Sequence, residues 1–591
     1  MRILLVIPTS YYSTCYPSFL SLSDFPVGFA YIASALKSAG HNVFGLNPNN
    51  DASYTTAFEM LASKLNDSIG RSSPELIGIG GLSTDFHFLK DCIRLIRKIN
   101  PKIPIVMGGG IISNDAEYIF CSLKPDFCII GEGEEAIVQL VGILAERGEC
   151  FGNVCNIGYW ENGSPIFTEK HIDYPDLDIK HFPDYEPFDD FEMINNYSFA
   201  TRSYYRYTRL DPRPMTIVTA RGCPFACTFC LHKKNRGYRA RSIDNIMQEI
   251  ALLYKKYQFN VLVILDELFA ANKERVNEFV NGVIDGRNTY GWDFDWMFQT
   301  HASASLDEKT LVAAKRAGCY LFSYGLESAS PTVLESMNKK TNNSQIIEAI
   351  RITDKVGIGF GGNFIFGDIA ENIDTICETM DFFSAHCRDI HIYLTYIQPY
   401  PGSELFDRCL EKGIIKNKDD YYELGDTKSY NMTSLPDYIW FSWKIGLMRF
   451  ASRLGWVRTV KATAIAKESL DNDTATYFSQ NMYRIRAKCP YCGYESDYRE
   501  PLIGSARKRA ESFVIEKIKL LRHIWSEGLL WYCILSVLLP LINPAFRRLG
   551  YLKSSDDNAN TVISGCQACH KRIKIEIPDV TSHSILKKTD E

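Results

Sequence analysis

The chain has 591 residues, 46% of them hydrophobic, and a formal net charge of −5. That length suits about three or four domains, and the acidic balance argues against a general nucleic-acid binder, whose basic surface releases phosphate counterions. Eighteen cysteines would suit a secreted disulfide protein, but Met1–Pro8 runs straight into a strand pattern without a cleavable apolar segment, so a reducing, cytoplasmic setting is expected, where cysteine spacing reads as metal binding.

Residues 1–150 alternate short apolar runs, at Ile3–Ile7, Val43–Leu46, Leu76–Gly80, Ile105–Met107 and Phe127–Ile130, with helix-length periodic stretches. This is the pattern of a doubly wound, Rossmann-like α/β domain with a parallel sheet covered on both faces. Ligands of such sheets bind beyond the carboxyl ends of the strands. Thr9-Ser10, Gly80-Gly81-Leu82-Ser83-Thr84, Gly108-Gly109-Gly110 and Gly131-Glu132-Gly133-Glu134 fall there, and glycine lets a large flat ligand approach the backbone.

With Pro26-Val27-Gly28-Phe29-Ala30 opening the first helix, these segments resemble a cobalamin-binding domain, and the Gly-Glu-Gly-Glu signature is the most specific part of the likeness. The resemblance covers all of residues 1–150 and implies cobalamin contacts at Gly28, Ser83, Thr84, Gly108, Gly109, Gly110, Gly131, Glu132 and Glu134. It departs in one respect. Many such domains carry Asp-x-His-x-x-Gly after the first strand, where the histidine replaces the base below the cobalt; that motif is absent, and His41, just before the second strand, reads as an ordinary loop residue. The bland alternative is a Rossmann-like domain that binds nothing.

Residues 151–213 change character. Asp173-Tyr174-Pro175-Asp176-Leu177-Asp178 and His181-Phe182-Pro183-Asp184-Tyr185-Glu186-Pro187 break any period and read as a wrapped linker with a solvated charged face.

Residues 214–435 open on Arg221-Gly222-Cys223-Pro224-Phe225-Ala226-Cys227-Thr228-Phe229-Cys230. Four-iron clusters normally take four thiolates. A C-x3-C-x2-C loop supplies three and leaves one iron open, as a catalytic zinc keeps an open position. A zinc knuckle completed by His232 and three buried free thiols are the rival readings. Together with the aromatic Phe229 before the last cysteine, this run resembles the radical S-adenosylmethionine superfamily, one branch of which carries the cobalamin domain in front. The resemblance implies a 4Fe-4S cluster on Cys223, Cys227 and Cys230, with S-adenosylmethionine on the open iron.

Strand patterns near Thr216–Thr219, Val261–Leu265, Trp296–Gln299, Tyr320–Tyr324, Gly359–Phe366 and Ile390–Tyr396 alternate with helical stretches, giving a partial (βα)6 barrel with its site at the carboxyl ends of the strands. Asp266-Glu267, Glu327-Ser328, Asn363 with Gly367, and Pro399–Ser403 lie there. By resemblance, Phe229, Asp266, Glu267, Glu327, Ser328, Asn363 and Gly367 contact S-adenosylmethionine: Asp266 and Glu267 accept from its ammonium group or from substrate, and Glu327 holds the ribose hydroxyls. For any one carboxylate alone, a capping or salt-bridge role competes. Gly367-Asp368-Ile369-Ala370-Glu371 stands where relatives often show Gly-Leu-Pro-Gly-Glu, and His301 where arginine is common. His301 is either a general acid or base or an unspecific polar contact. No residue is assigned as catalytic.

Residues 436–591 form a C-terminal helical region holding Cys489-Pro490-Tyr491-Cys492 and Cys566-Gln567-Ala568-Cys569. Four thiolates so arranged make a closed tetrahedral zinc site, with Tyr494 and Lys571–Ile577 as strands of a zinc ribbon; an auxiliary iron–sulfur cluster and no metal are the alternatives. Between the knuckles, Val514, Ile518, Leu521 and Trp525 recur at helical spacing before the apolar run Leu529–Ile542. That run falls short of the roughly 20 residues a spanning helix needs. It reads either as a buried hairpin or, with Arg507, Lys508, Arg509, Arg547 and Arg548 on its flanks, as a peripheral membrane contact.

The expected activity is that of a cobalamin-dependent radical S-adenosylmethionine enzyme. The resemblance implies reductive cleavage to a 5′-deoxyadenosyl radical, with electrons from a partner such as flavodoxin or ferredoxin, then methylation of an unactivated carbon or phosphorus of a small-molecule or lipid-like substrate. Radical cyclisation, oxidation or rearrangement without methyl transfer is the enzymatic alternative. A non-catalytic cobalamin- or metal-binding docking protein is the alternative from another class.

Overall fold

A computed structural model of the chain describes residues 1–9, 25–49, 57–169, 176–179, 181–188, 208–231, 237–304, 306–388, 390–424, 429–453, 457–467, 482–501 and 560–577. It divides into two compact units. Ser10, His232, Asp173-Tyr174-Pro175 and the apolar insertion with its basic flanks lie outside the described residues.

The first unit comprises Met1–Thr201, Phe229–Glu249 and Pro399–Tyr430. Its sheet begins with β1 (Arg2–Val6), β2 (Asn42–Leu46), β3 (Leu76–Gly80), β4 (Ile105–Gly108) and β5 (Phe127–Ile129), all parallel and ordered 2-1-3-4-5. Ile3, Leu5, Leu76, Val106, Phe127 and Ile129 form the buried core of one face with Ala33 and Leu36 of helix Val27–Ser38 and Ile137, Leu140 and Val141 of helix Glu134–Ala145. The near-continuous apolar strands follow from burial on both faces.

Residues 157–167, expected in the linker, instead extend this sheet as an antiparallel hairpin of β6 (Ile157–Glu161) and β7 (Ser164–Phe167). Its turn is Asn162-Gly163, with φ of 50° and 80°. Both residues are left-handed, which is what a two-residue hairpin turn matched to strand twist requires. The linker is also less solvated than its charges suggested. Tyr185 and Phe188 are buried, and Phe188 packs where a Cβ on Gly45 would stand, so these aromatics are core of the first unit. Within the same unit Pro399–Tyr430 seats against helix Gly110–Leu123: Lys418 pairs with Asp115 at 2.7 Å, and Tyr422 stacks on Tyr118 with ring centroids 5.2 Å apart.

The second unit comprises Arg202–Thr228, Ile250–Gln398 and Asn431–Glu591. Its main sheet runs β8 (Pro214–Ile217), then, after the two-residue strands β9 (Ala220–Arg221) and β10 (Arg239–Ala240) that bracket the cysteine loop in sequence, β11 (Val261–Ile264), β12 (Asp295–His301), β13 (Cys319–Glu327), β14 (Gly359–Phe366) and β15 (His391–Tyr396). β8 and β11–β15 are parallel and lie side by side in chain order. Helices Lys273–Tyr290, Glu308–Arg316, Asn343–Val356 and Ile373–His386 fall between successive strands. This is the six-unit partial barrel the alternation required. The local chemistry agrees: Asn272, Asp307, Asn342 and Asn372 each cap a helix start by accepting a backbone N–H, which supplies a partner the first turn otherwise lacks.

Beyond helix Asp437–Arg453 lie β16 (Thr459–Lys461), β17 (Ala464–Lys467), β18 (Met482–Lys488), β19 (Glu495–Pro501), β20 (Asn560–Gly565) and β21 (Arg572–Ile577), in two three-stranded sheets. Ile485, Tyr498, Ile573, Ile575 and Ile577 form their shared core. Among the described residues, no helix is long and apolar enough to cross a membrane.

Candidate active site and a second cysteine cluster

The 2-1-3 strand order makes a topological switch point between β1 and β3, where open α/β sheets take their ligands. The carboxyl end of β1 leads to Thr9, whose buried Oγ1 has no hydrogen-bond partner among the described residues; past β2, the buried Oδ1 of Asn49 likewise has none. Buried polar atoms are normally satisfied, so two such atoms at this edge fit a polar ligand there. His41 stands at the amino end of β2, the opposite edge.

The glycines here also serve one another. A Cβ on Gly80 would lie 2.9 Å from the carbonyl oxygen of Gly108, and one on Gly109, whose φ is +86°, 2.7 Å from that of Gly81. The two loops therefore approach backbone to backbone, and Ile111 donates to Gly81 O at 3.0 Å. Gly108 itself is open, and a Cβ on Gly28 would meet nothing within 4 Å. Ser83 and Thr84 sit in a short 3-10 turn beside exposed Leu82. Gly131, with φ +85°, donates to Ser113 Oγ at 2.9 Å. Glu132 pairs with Arg239. Glu134 opens its helix, where a carboxylate suits the positive end of the dipole.

In the barrel unit, the loop of Cys223 and Cys227 is pinned from two directions. Thr228 N–H donates to Met337 O at 3.0 Å and Asn338 Nδ2 to Ala226 O at 2.8 Å, while Phe225 stacks on His301 with centroids 4.1 Å apart. Gly222 supplies the left-handed turn before the first cysteine, with φ +81°. Cys223, Cys227 and Cys230 are each half-buried, and so is Phe229. Three half-exposed thiols in one short loop suit a cluster that must remain open to a small molecule. His301 is buried, and burial pushes its pKa down to about 3, with Lys339 adding to the shift. A neutral ring stacked on Phe225 is a positioning geometry.

The carboxylates divide. Asp266 is buried, and its two oxygens accept from the backbone N–H (2.6 Å) and the hydroxyl of Thr219; burial raises its pKa to about 6. It ties the end of β11 to the segment after β8, a structural use. Glu267 is exposed beside it. Glu327 is buried with φ +63°, a conformation that costs an L-residue unless its surroundings enforce it. One oxygen pairs with Lys339 Nζ and the other accepts from Asn363 Nδ2, both at 2.9 Å. Ser328 Oγ bonds Thr379 Oγ1 at 3.0 Å.

After β14, Gly367 turns with φ +112°. Its N–H donates to the buried Glu371, and Asp368 accepts from Ala370 N–H at 2.9 Å. Two buried carboxyls thus close this turn. Burial pushes Glu371 up to about 8, so it is protonated near neutrality. Sequence reasoning did not single out Thr219, Arg239, Lys339 or Lys444, whose roles depend on long-range packing. Lys444 Nζ lies 3.4 Å from the ring centroid of Tyr396 at the end of β15, and burial brings its pKa down to about 7.

The second cluster belongs to the two small sheets. Cys489 and Cys492 stand between β18 and β19, Cys566 and Cys569 between β20 and β21, and all four sulfurs lie within 4.8 Å of one another. The expected ribbon strands are present, except that Tyr494 itself is exposed and precedes β19.

Comparison with known proteins agrees with both units. Residues 24–141 match the B12 binding domain and residues 217–383 the radical SAM superfamily. An uncharacterized methyltransferase of Pyrococcus horikoshii is 26% identical over 422 residues, covering 70% of this chain and 84% of that protein. The anaerobic magnesium-protoporphyrin IX monomethyl ester cyclase of Rubrivivax gelatinosus is 25% identical over 408 residues, 67% of this chain and 68% of the cyclase. The solved structure of the radical S-adenosylmethionine methyltransferase TsrM from Kitasatospora setae, with tryptophan and a S-adenosylmethionine analogue bound, shares the fold with a TM-score of 0.55 at 15% identity, over 70% of this chain and 77% of TsrM. The chain thus joins a B12 binding domain at residues 24–141 to a radical SAM domain at residues 217–383, a pair whose cofactors are cobalamin, a 4Fe-4S cluster and S-adenosylmethionine.

Proposed function

We propose that this enzyme methylates an unactivated carbon, or a phosphorus centre, of a small-molecule or lipid-like substrate. The observation that carries the reading is the union in one chain of a three-thiolate loop, which withholds the fourth cluster ligand, with a switch-point edge where the buried Thr9 hydroxyl and Asn49 side-chain amide oxygen have no hydrogen-bond partner among the described residues. When bound, the cluster and cobalamin supply one-electron cleavage of S-adenosylmethionine and a methyl carrier, chemistry that belongs to the cofactors. The likeness to the Pyrococcus horikoshii methyltransferase supports methyl transfer.

The chain's own residues position and exclude. Met337, Asn338 and His301 hold residues 225–228 of the cysteine loop in place. Glu327, paired with Lys339 and oriented by Asn363, presents an acceptor edge for ribose hydroxyls. Asp266 acts on Thr219 as a positioning residue, and Glu267, exposed beside it, is the carboxylate offered to an ammonium group. Ser328 and Gly367 shape the adjoining turns. Gly28, Ser83, Thr84, Gly108–Gly110, Gly131, Glu132 and Glu134 line the cobalamin edge. A cytoplasmic flavodoxin or ferredoxin delivers the electron.

Ring closure, oxidation or rearrangement without methyl transfer is the second reading, favoured by the likeness to the Rubrivivax gelatinosus cyclase. The test is anaerobic reconstitution with iron, sulfide and hydroxocobalamin, then reduction with methyl-labelled S-adenosylmethionine. Methylation predicts deoxyadenosine together with label in the corrinoid. Deoxyadenosine with an unlabelled corrinoid moves the assignment to the second reading, and neither product from a fully loaded cluster contradicts both.

A further inference from the structure

We propose that Cys489, Cys492, Cys566 and Cys569 hold one zinc ion, and that this ion is a structural pin fastening the ribbon to the amino ends of the barrel strands, apart from the radical chemistry. The inference does not rest on the reaction proposed above.

The geometry selects a single ion. With zinc–sulfur bonds of about 2.3 Å, a tetrahedron has sulfur–sulfur edges of about 3.8 Å. Cys489 and Cys569 sulfurs are 3.7 Å apart, and Cys492 and Cys566 sulfurs 3.6 Å apart. A cubane puts each thiolate on a different iron, which spreads the sulfurs well beyond the 4.8 Å limit observed here. The backbone is arranged for thiolates: Tyr491 N–H donates to Cys489 Sγ and Ala568 N–H to Cys566 Sγ, both at 3.4 Å, the outer-shell support metal ligands require. Gly493 and His570 take left-handed φ of 78° and 57° to close the two knuckles. Cys489 and Cys566 are buried against the ribbon core, and four protein thiolates leave no open position, which marks a structural site.

The residues that follow the last ligand reach the barrel. His570 Nδ1 lies 3.3 Å from Gly357 O, Lys571 pairs with Asp354 at 2.9 Å, and the Arg572 guanidinium lies over the Tyr393 ring at 5.7 Å. His570 also packs so closely that a Cβ on Gly359 would come within 3.2 Å of its own Cβ. Asp354, Gly357 and Gly359 lead into the amino end of β14, whereas Glu327 ends β13 at its carboxyl edge. The length of β13 separates the two ends by roughly 25 Å at about 3.3 Å per residue, and the amino face of such barrels carries stability while chemistry sits on the other.

The experiment uses the full chain purified anaerobically, with metals measured by mass spectrometry beside a Cys489→Ser/Cys566→Ser variant. The expected result is about one zinc and about four irons per wild-type chain, and loss of the zinc alone in the variant. About eight irons, a fifth iron in place of zinc, or ribbon thiols that alkylate in the native wild-type chain overturn the assignment. The pin is tested by hydrogen exchange on wild-type protein before and after zinc chelation, and on His570→Ala, which keeps all four ligands. Exchange at residues 354–360 should rise about tenfold or more on chelation and also rise in His570→Ala. A rise confined to the ribbon contradicts the pin.

Discussion

The two cysteine clusters use one donor type and arrive at opposite solutions. In the run Cys223–Cys230 the ligands come from one short stretch of sequence, are half-buried and number three, one fewer than a four-iron cluster normally takes. In the ribbon they come from two distant knuckles, converge within 4.8 Å and number four. The first arrangement keeps a vacancy for chemistry; the second spends every ligand on cohesion. Ligand count and convergence, more than ligand identity, separate reactivity from structure.

The largest expected effect tests the open site. Cys227→Ala should lower deoxyadenosine formation by at least about a thousandfold, because an incompletely ligated cluster neither holds nor reduces the sulfonium; the ribbon zinc should be unchanged, as metal analysis of the same sample will check. Next is the buried Glu327–Lys339 pair. Lys339→Met leaves a buried carboxylate unpaired, since each side chain of the pair is 7% exposed, and should cost about 3–5 kcal/mol in denaturant unfolding. Asp or Gln at 327 would separate charge from packing.

A pH experiment follows. The Glu371 carboxyl stands at about 8 in the fold against 4.5 ordinarily, chiefly through burial. Between those values the folded chain retains a proton that the unfolded chain has lost, so this group makes stability fall as pH rises through that window. Glu371→Gln should flatten the decline; a difference between the two proteins that does not change with pH would refute a raised pKa. The smallest effect lies at the cobalamin edge. Gly28→Ala, whose new Cβ meets nothing within 4 Å, should leave stability within about 0.5 kcal/mol of wild type. Gly109→Ala, strained and pressed on Gly81, should weaken corrinoid retention measured by equilibrium dialysis.

Much of this was legible in the sequence because parallel α/β architecture writes itself as apolar runs spaced by amphipathic helices. The five parallel strands of the first sheet and the six of the barrel fall where those runs lie. The β6–β7 hairpin is signalled only by Asn162-Gly163, and the proline- and aspartate-rich stretch that begins just after it masks the strand pattern. The site was legible in its ligands and illegible in its supports. Cys223, Cys227 and Cys230 carry a local spacing, whereas Thr219 reaches Asp266 only after β8 and β11 have paired, and Lys339 returns to Glu327 only once the chain has turned back through helix Pro331–Ser336. The ribbon shows the same limit: both knuckles are local motifs, but their convergence across residues 493–565, and their seat on Gly357 and Asp354, are tertiary facts.

The most direct test of the contrast between the clusters is electron paramagnetic resonance of the reduced, anaerobically reconstituted full chain, before and after addition of S-adenosylmethionine. The account predicts one 4Fe-4S signal per chain whose g-values shift when S-adenosylmethionine binds, with the ribbon silent. A second cluster signal, or a single signal indifferent to S-adenosylmethionine, would contradict it.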